Sequence, residues 1–166
     1  TQPCPECLGT RLRKEARQRG VDASRLVFAP RLPLPEHLAR QRLADLFLDT
    51  LPYNAHTTCS AALGVGLPVL TCSGKTFAGR VATSLLLAVD MPELICTDLA
   101  AYEARALHLA RQPEELRLLR SQLEQGRLAH ALFDTERFRQ GLESAFRTMY
   151  ERQRGGLAPE AFRVSA

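Results

Sequence analysis

The segment His56-Thr57-Thr58 places an imidazole and two hydroxyls between a hydrophobic segment and a run of small residues. The segment DLFLDT (45–50) is typical of a buried strand, and HTTCSAALGVG (56–66) is typical of a helix that lies close to a sheet. The first turn of a helix exposes unpaired N–H groups and the positive end of the helix dipole. Because such an end binds phosphate, the pattern indicates an anion site. The alternative is that Thr57 only caps the helix and that His56 is an incidental surface residue.

Two other motifs are weaker candidates for chemistry. The segment SGKT (73–76) resembles the end of a phosphate-binding P-loop, but that motif requires glycine at the position of Val69, so we expect an ordinary turn. The segment CPEC carries Cys4 and Cys7 at the spacing of a zinc knuckle. A structural zinc site needs four ligands, and no second CxxC or HxxxH follows. We therefore predict two free thiols in a loose tail and no metal site.

The composition indicates a single-domain protein and disfavours nucleic-acid-binding and membrane-spanning classes. The chain has 166 residues, a net charge of +4 and 45% hydrophobic residues, which suffices for one domain with a core. Its positive residues are nearly all arginines interleaved with glutamates, as in EELRLLRSQLEQGR (114–127), which is typical of solvated helices rather than of a nucleic-acid surface. No apolar run is long enough to span a membrane. The five cysteines and the absence of a visible signal peptide predict a cytoplasmic protein.

Short apolar segments alternate with helical segments along much of the chain. The predicted strands are 25–30, 45–50, 68–72 and 93–97, and the predicted helices are 8–20, 34–44, 56–66, 76–89, 99–112, 113–129 and 134–154. This alternation predicts an α/β fold with a Rossmann-like parallel sheet, flanking helices and a helical C-terminus. We assign residues 1–7 to the tail, 8–152 to a nucleotide-sugar-binding lobe and 153–166 to a C-terminal arm.

Three motifs occur in an order that resembles a known family. They are YNAHTT (53–58), GLPVLT (66–71) and TFAGRVA (76–82), and the likeness extends over about residues 12–152. The chain resembles the C-terminal part of the catalytic region of the O-linked N-acetylglucosamine transferases and their Spindly-type relatives. The resemblance implies the C-terminal lobe of a glycosyltransferase-B fold. Members of this family transfer a sugar from a nucleotide diphosphate to Ser or Thr of proteins, with inversion and without a metal.

The resemblance also assigns roles at the predicted anion site. His56, Thr57 and Thr58 match the triplet that contacts the diphosphate of the donor. Their role would be to stabilise negative charge on the departing diphosphate, which makes His56 the catalytic candidate. No cofactor is implied, since the nucleotide sugar, by resemblance UDP-GlcNAc, is a substrate.

A second group of residues matches the part of the family that binds the nucleoside. His37 matches the histidine that stacks on uracil, and Arg40 matches an arginine near the base. The backbone at Leu32 and Pro33 matches the segment that reads the edge of uracil. The spacing of His37 by itself favours a surface histidine beside Glu36.

Several positions depart from the family pattern. Ala61 stands where an aspartate often holds the ribose, and Leu34 stands where some members have lysine. Gly64 replaces a common tryptophan, and Lys75 replaces a frequent glutamate. These departures leave the donor base open. They also keep two alternatives: a transferase for another donor such as GDP-fucose, or a non-catalytic relative that serves as a nucleotide-binding or interaction module.

Family members carry further parts upstream of this lobe. These are tetratricopeptide repeats that hold the acceptor protein, an N-terminal catalytic lobe, a catalytic lysine and the first strand of the C-terminal lobe. We expect this chain to be a piece of such a bacterial protein and to have no turnover by itself. The final helical segment predicts a core-facing stripe, whose members recur at helical spacing: Phe133, Phe138, Leu142, Ala145, Phe146 and Met149. If that helix instead crosses to the other lobe, the stripe is exposed and the chain self-associates.

Overall fold

The structure is a computed structural model that describes residues 5–126 and 129–164. The chain divides into two compact units, Thr1–His37 and Leu38–Ala166. Its helices are α1 (Pro5–Gln18), α2 (Leu34–Gln41), α3 (Thr57–Gly64), α4 (Val81–Ala88), α5 (Leu99–Arg111), α6 (Pro113–Gly126) and α7 (Thr135–Arg154). Its strands are β1 (Phe47–Leu48), β2 (Val69–Cys72) and β3 (Ile95–Cys96).

The first unit consists of α1, a short turn and the beginning of α2. Gly20 follows α1 with φ of +73°, a left-handed conformation that glycine adopts without strain. The side chain of Asp22 accepts a hydrogen bond from the backbone N–H of Ser24 at 2.9 Å and caps a 3₁₀ turn. Further along, the guanidinium of Arg13 lies 5.1 Å from the ring centre of Phe28.

The strand predicted at 25–30 is wrong. The structure has no strand in this segment, and Val27 is 86% exposed. A strand is stable only when its backbone pairs with a neighbour, and the described residues of the first unit contain no strand to pair with it. The start of α1 at Pro5 also places the helix slightly earlier than the sequence predicts, whereas Cys4 lies outside the described residues.

The second unit contains a three-stranded parallel sheet in the order β1-β2-β3. Phe47 pairs with Val69 across the first two strands, and Cys72 pairs with Cys96 across the second pair. This confirms the predicted α/β class. Since parallel crossovers are almost always right-handed, the two successive crossovers place α3 and α4 on one face, where they contact each other.

The core of this unit lies around β2, whose four residues are all buried. A strand that is covered on both faces is mostly hydrophobic, which explains Val69, Leu70 and Cys72. The one polar residue of β2, Thr71, is buried as well, and its hydroxyl is hydrogen-bonded. The small residues Cys59 and Ala62 of α3 are fully buried, so that helix approaches the sheet closely. Larger side chains complete the core: Leu63, Leu67, Leu86, Met91, Leu94 and Leu109.

Three helices follow the sheet, and α7 differs from the prediction. Asp98 caps α5 by accepting from the N–H of Ala101 at 2.8 Å, and Asp134 caps α7 by accepting from the N–H of Arg137 at 2.9 Å. The core-facing stripe predicted for α7 is wrong, because this helix has no buried residue. Of the six predicted residues, Phe133, which precedes α7, packs against the core, as does its neighbour Leu132. No helix in the described part of the chain is long and apolar enough to cross a membrane.

Candidate functional site

Three loops leave the carboxyl ends of the parallel strands and lie in the second unit. They are residues 49–56 after β1, 73–80 after β2, and 97–98 after β3. In open α/β sheets this edge is the usual place of ligand binding. The arrangement of the polar groups in these loops therefore determines what the site can bind.

A buried carboxylate fixes the first loop to the sheet. Asp49 is 5% exposed, and its Oδ1 accepts hydrogen bonds from the backbone N–H of Thr50 at 2.8 Å and of Ala55 at 2.7 Å. Its Oδ2 accepts from the hydroxyl of Thr71 on β2 at 2.6 Å. The hydroxyl of Tyr102 on α5 donates to the backbone carbonyl of Asp49 at 2.9 Å. These bonds tie together the first loop, the central strand and α5.

The ionisation of Tyr102 suits its role as a donor. Burial of its hydroxyl, with a smaller contribution from the negative charge of Asp49, raises the pKa of Tyr102 to about 12. The hydroxyl therefore keeps its proton at neutral pH and continues to donate to the carbonyl of Asp49.

A second internal network shapes the loop around its cis peptide bond, Leu51–Pro52. The hydroxyl of Thr50 donates to the carbonyl of Tyr53 at 2.8 Å, and Nδ2 of Asn54 donates to the carbonyl of Thr50 at 3.2 Å. The N–H of Asn54 donates to the carbonyl of Ala78 at 3.0 Å, which joins the first loop to the second. The Oδ1 of this fully buried Asn54 accepts no hydrogen bond from the described residues.

The imidazole of His56 lies between the two loops. Its Nε2 is 3.4 Å from the carbonyl oxygen of Ala78, its ring stacks on Tyr53 at 4.8 Å between centres, and Phe77 meets it edge-on at 6.1 Å. When the proton is on Nε2, the ring donates to Ala78 and leaves Nδ1 for another partner. His56 is half-buried. This packing does not fit an incidental surface histidine.

Thr57 and Thr58 are the first two residues of α3, and both are exposed. The N-cap position belongs to His56, whose side chain makes no capping hydrogen bond, so Thr57 is not the cap residue. The N–H of Ser60 is the first to bond within the helix, to the carbonyl of His56 at 3.0 Å. The earlier N–H groups of the first turn therefore make no hydrogen bond within the helix.

The second loop supports this edge through a close approach of its backbone to itself and to the first loop. The N–H of Gly74 donates to the carbonyl of Gly79 at 2.6 Å. A Cβ added to Gly79 would lie 3.1 Å from the carbonyl oxygen of Pro52 and 3.2 Å from Cα of Gly74. Only glycine fits there without displacing one of the loops. Lys75, by contrast, is exposed.

The predicted nucleoside contacts are divided between the two units. Leu32, Pro33 and His37 belong to the first unit, where the carbonyl of Pro33 accepts from the N–H of His37 at 2.9 Å. Arg40 belongs to the second unit and is half-buried. The structure thus brings His56, Thr57 and Thr58 together in one unit and Leu32, Pro33 and His37 together in the other.

The family departures have distinct settings in the structure. Ala61 is half-buried in α3, one helical turn beyond Thr57, whereas Leu34 is largely exposed. A Cβ on Gly64 would lie 3.7 Å from the ring of Phe133. The ring of Phe133 therefore occupies space that a large side chain at position 64 would need.

Three residues that position the site without forming its surface were not predicted from the sequence: Asp49, Asn54 and Tyr102. A signal for Asp49 existed, because an acidic residue directly after a hydrophobic strand is unusual in a core. Tyr102 gave no signal, since its partner is 53 residues away. The side chains that the structure describes form no group of three or more His, Cys, Asp or Glu suited to a metal ion.

Comparison with known proteins gives consistent matches. The family model described as glycosyl transferase family 41 matches residues 4–142. The UDP-N-acetylglucosamine–peptide N-acetylglucosaminyltransferase of Caenorhabditis elegans is 34% identical over 146 residues, which cover 88% of this chain and 13% of that protein. The probable transferase SEC of Arabidopsis thaliana is 36% identical over 155 residues, which cover 93% of this chain and 16% of that protein.

A solved structure is similar as well. A mutant of the Thermobaculum terrenum O-GlcNAc transferase matches with a TM-score of 0.79 and 35% identity, over 86% of this chain and 27% of that chain. The chain thus spans 13% and 16% of the length of the two curated relatives described.

Proposed function

The chain belongs to glycosyl transferase family 41, and from this premise we propose that it is the donor-nucleotide-binding lobe of a protein O-glycosyltransferase. The reaction is the transfer of N-acetylglucosamine from UDP-N-acetylglucosamine to Ser or Thr of a protein, with inversion at the anomeric carbon and without a metal. The sheet with its flanking helices, and the likeness to a solved O-GlcNAc transferase, support the glycosyltransferase-B fold.

The observation that carries this proposal is the open N-terminus of α3 beside the fixed imidazole of His56. The first turn of α3 offers free N–H groups and a positive dipole end, and Thr57 and Thr58 add two exposed hydroxyls. His56 is the catalytic residue in this proposal. Together these groups stabilise the charge that develops on the diphosphate when the bond to the sugar breaks.

We assign binding of the nucleotide base to the second group of predicted residues, which lies around the start of α2. His37 stacks on uracil, Arg40 lies near it, and the backbone at Leu32 and Pro33 reads its edge. These roles rest on the family match, since the motif that contains them lies within residues 4–142. The nucleotide sugar is a substrate, and no further cofactor enters the proposal.

The acceptor and the remaining catalytic groups belong to other parts of the longer protein. The small fraction of each relative that this chain spans supports this division. We assign an N-terminal catalytic lobe and acceptor-binding repeats to a bacterial parent protein in the cytoplasm. We assign residues 8–152 to the nucleotide-sugar lobe and 153–166 to an arm, whereas the predicted loose tail at 1–7 is wrong for residues 5–7, which belong to α1. This chain by itself is inactive in transfer.

Calorimetric titration with UDP, and with GDP for comparison, tests the proposal. We expect saturable binding of UDP that weakens about tenfold or more in His56→Ala, since a hydrogen bond to a charged group contributes roughly 1.5–3 kcal/mol. His108→Ala is the matched control, because His108 is an exposed histidine on α5 that pairs with Glu115. Equal binding by the two variants would overturn the role of His56.

A second candidate function is a non-catalytic nucleotide-binding or interaction module, and Ala61 favours it. The position offers no carboxylate for the ribose. A parent protein that binds UDP but transfers no sugar to Ser or Thr peptides would favour this module. Tighter binding of GDP than of UDP would favour a transferase for another donor, such as GDP-fucose.

A further inference from the structure

Two cysteines occupy paired positions on adjacent strands of the second unit. Cys72 ends β2 and Cys96 ends β3, and the two are partners in the register of the sheet. Both are free thiols. Partner residues on neighbouring parallel strands lie on the same face, with strands about 4.8 Å apart. This spacing falls within the Cα separation of disulfides, about 4.4–6.8 Å.

The surroundings of this pair differ from those of the other buried thiol. Cys72 is 6% exposed and Cys96 is 7% exposed, whereas Cys59 in α3 is 0% exposed. Both cysteines thus belong to the core but retain slightly more contact with solvent than Cys59. Burial raises the pKa of both thiols, and a negative charge on Cys72 raises the pKa of Cys96 further. Because the thiolate is the form that attacks a peroxide, oxidation of this pair should become faster as the pH rises.

We propose that Cys72 and Cys96 are a modification site, a dithiol pair that hydrogen peroxide closes into a reversible disulfide at the ligand edge of the sheet. The sulfur of one cysteine attacks a peroxide oxygen, the O–O bond breaks, and a sulfenic acid and one water form. The second sulfur then attacks the first, the S–O bond breaks, and a second water leaves. Two thiols lose two electrons and two protons, and hydrogen peroxide gains both. A thiol reductant restores the pair by exchange.

The position of the bond gives the modification a structural consequence. The N–H of Ser73 donates to the carbonyl of Cys96 at 2.8 Å, so the strands are still paired where they end. The loop 73–80, which contacts His56 through Ala78, begins directly after Cys72. A disulfide would therefore covalently anchor the start of that loop to β3. This inference concerns the thiols and is independent of which nucleotide the site binds.

Peroxide treatment followed by alkylation and peptide mass spectrometry tests the proposal. The full chain carries Cys4→Ser and Cys7→Ser, so that only the three cysteines of the second unit remain. We expect a linked product that joins the peptide before Lys75 to the peptide containing Cys96, with a mass lower by two hydrogens than the sum of the reduced peptides. Dithiothreitol should remove it.

Matched variants identify the sulfurs, because Cys59 and Cys72 share the tryptic peptide between Arg42 and Lys75. The linked product should persist in Cys59→Ala and disappear in Cys72→Ala and in Cys96→Ala. Far-UV circular dichroism verifies that each variant is folded. Full alkylation of both thiols after peroxide treatment of the folded chain would overturn the proposal, and so would a link that survives in Cys72→Ala.

Discussion

Asp49 organises the candidate site through one buried carboxylate that accepts three hydrogen bonds, from Thr50, Ala55 and Thr71. In Asp49→Asn, an amide NH₂ takes the place of one carboxylate oxygen. The NH₂ group can only donate, so the donor that faced that oxygen loses its acceptor. Because a buried donor without a partner costs about 1–3 kcal/mol, we expect the free energy of unfolding to fall by that amount. Urea denaturation measures it. Asp45→Asn, at an exposed position, should change little; equal effects of the two substitutions would show that the network is unimportant for stability.

A substitution at Ala61 should improve the site rather than weaken it. Ala61→Asp places a carboxylate one helical turn beyond Thr57, at the position where the family resemblance implies a contact with the ribose. We expect the affinity for UDP to rise about tenfold or more, since a charged hydrogen bond contributes roughly 1.5–3 kcal/mol. Calorimetry measures the change, and Ala61→Asn is the control of matched shape. Weaker binding in Ala61→Asp would mean that the carboxylate repels the diphosphate rather than holding the sugar.

The residues of the site were predictable to different degrees. His56, Thr57 and Thr58 stand together in the sequence, so a local pattern at the start of a helix was enough to select them. Asp49 and Tyr102 act through partners 22 and 53 residues away, respectively. Such pairs form only when the sheet brings distant segments together, and no periodicity in one sequence encodes them.

At the scale of elements, the junction between α5 and α6 depends on an acidic side chain. Glu115 on α6 forms an ion pair with Arg105 at 2.7 Å and a hydrogen bond with Nε2 of His108 at 2.7 Å, both on α5. The hydrogen bond from Arg105 is the main cause that lowers the pKa of Glu115, and the bond to His108 adds to it.

This lowered pKa predicts a pH dependence of stability. A carboxylate with a lower pKa in the folded state stabilises the fold above its ordinary pKa, and the contribution is lost as the pH falls through the folded value. Between neutral pH and about pH 4, we therefore expect the urea midpoint to fall less in Glu115→Gln than in the wild type. Glu103→Gln, on the exposed surface of α5, is the control. A wild-type decrease no larger than that of Glu115→Gln would contradict the role of the pair.

Strong periodic segments were predicted well, and segments that depend on a neighbour were not. The helices α5, α6 and α7 match their predicted positions closely because helical hydrogen bonds and caps are local. The segment 25–30 has the composition of a strand, yet it forms none, because a strand also requires a paired neighbour. Composition thus predicted the class of the fold, whereas strand pairing decided which apolar segments became strands.

At the scale of the whole molecule, α7 presents an apolar face that the core does not cover. Phe138, Leu142, Phe146 and Met149 are between 43% and 68% exposed. The helical spacing predicted one side of α7 correctly, but periodicity alone does not say which surface covers such a side. Contiguous exposed apolar residues of this kind mark interaction surfaces, and in a chain without that partner they promote association.

We therefore expect the chain to self-associate through α7 as its concentration rises. Multi-angle light scattering should show a mass above 18.4 kDa that increases with loading. Phe138→Glu combined with Phe146→Glu should restore the monomer mass, because the buried face would then carry unpaired charges. Arg147→Ala is the control, as it alters an exposed charged residue of the same helix and leaves the apolar residues in place. A monomer at every concentration of the unmodified chain would show that this face does not bind a second copy.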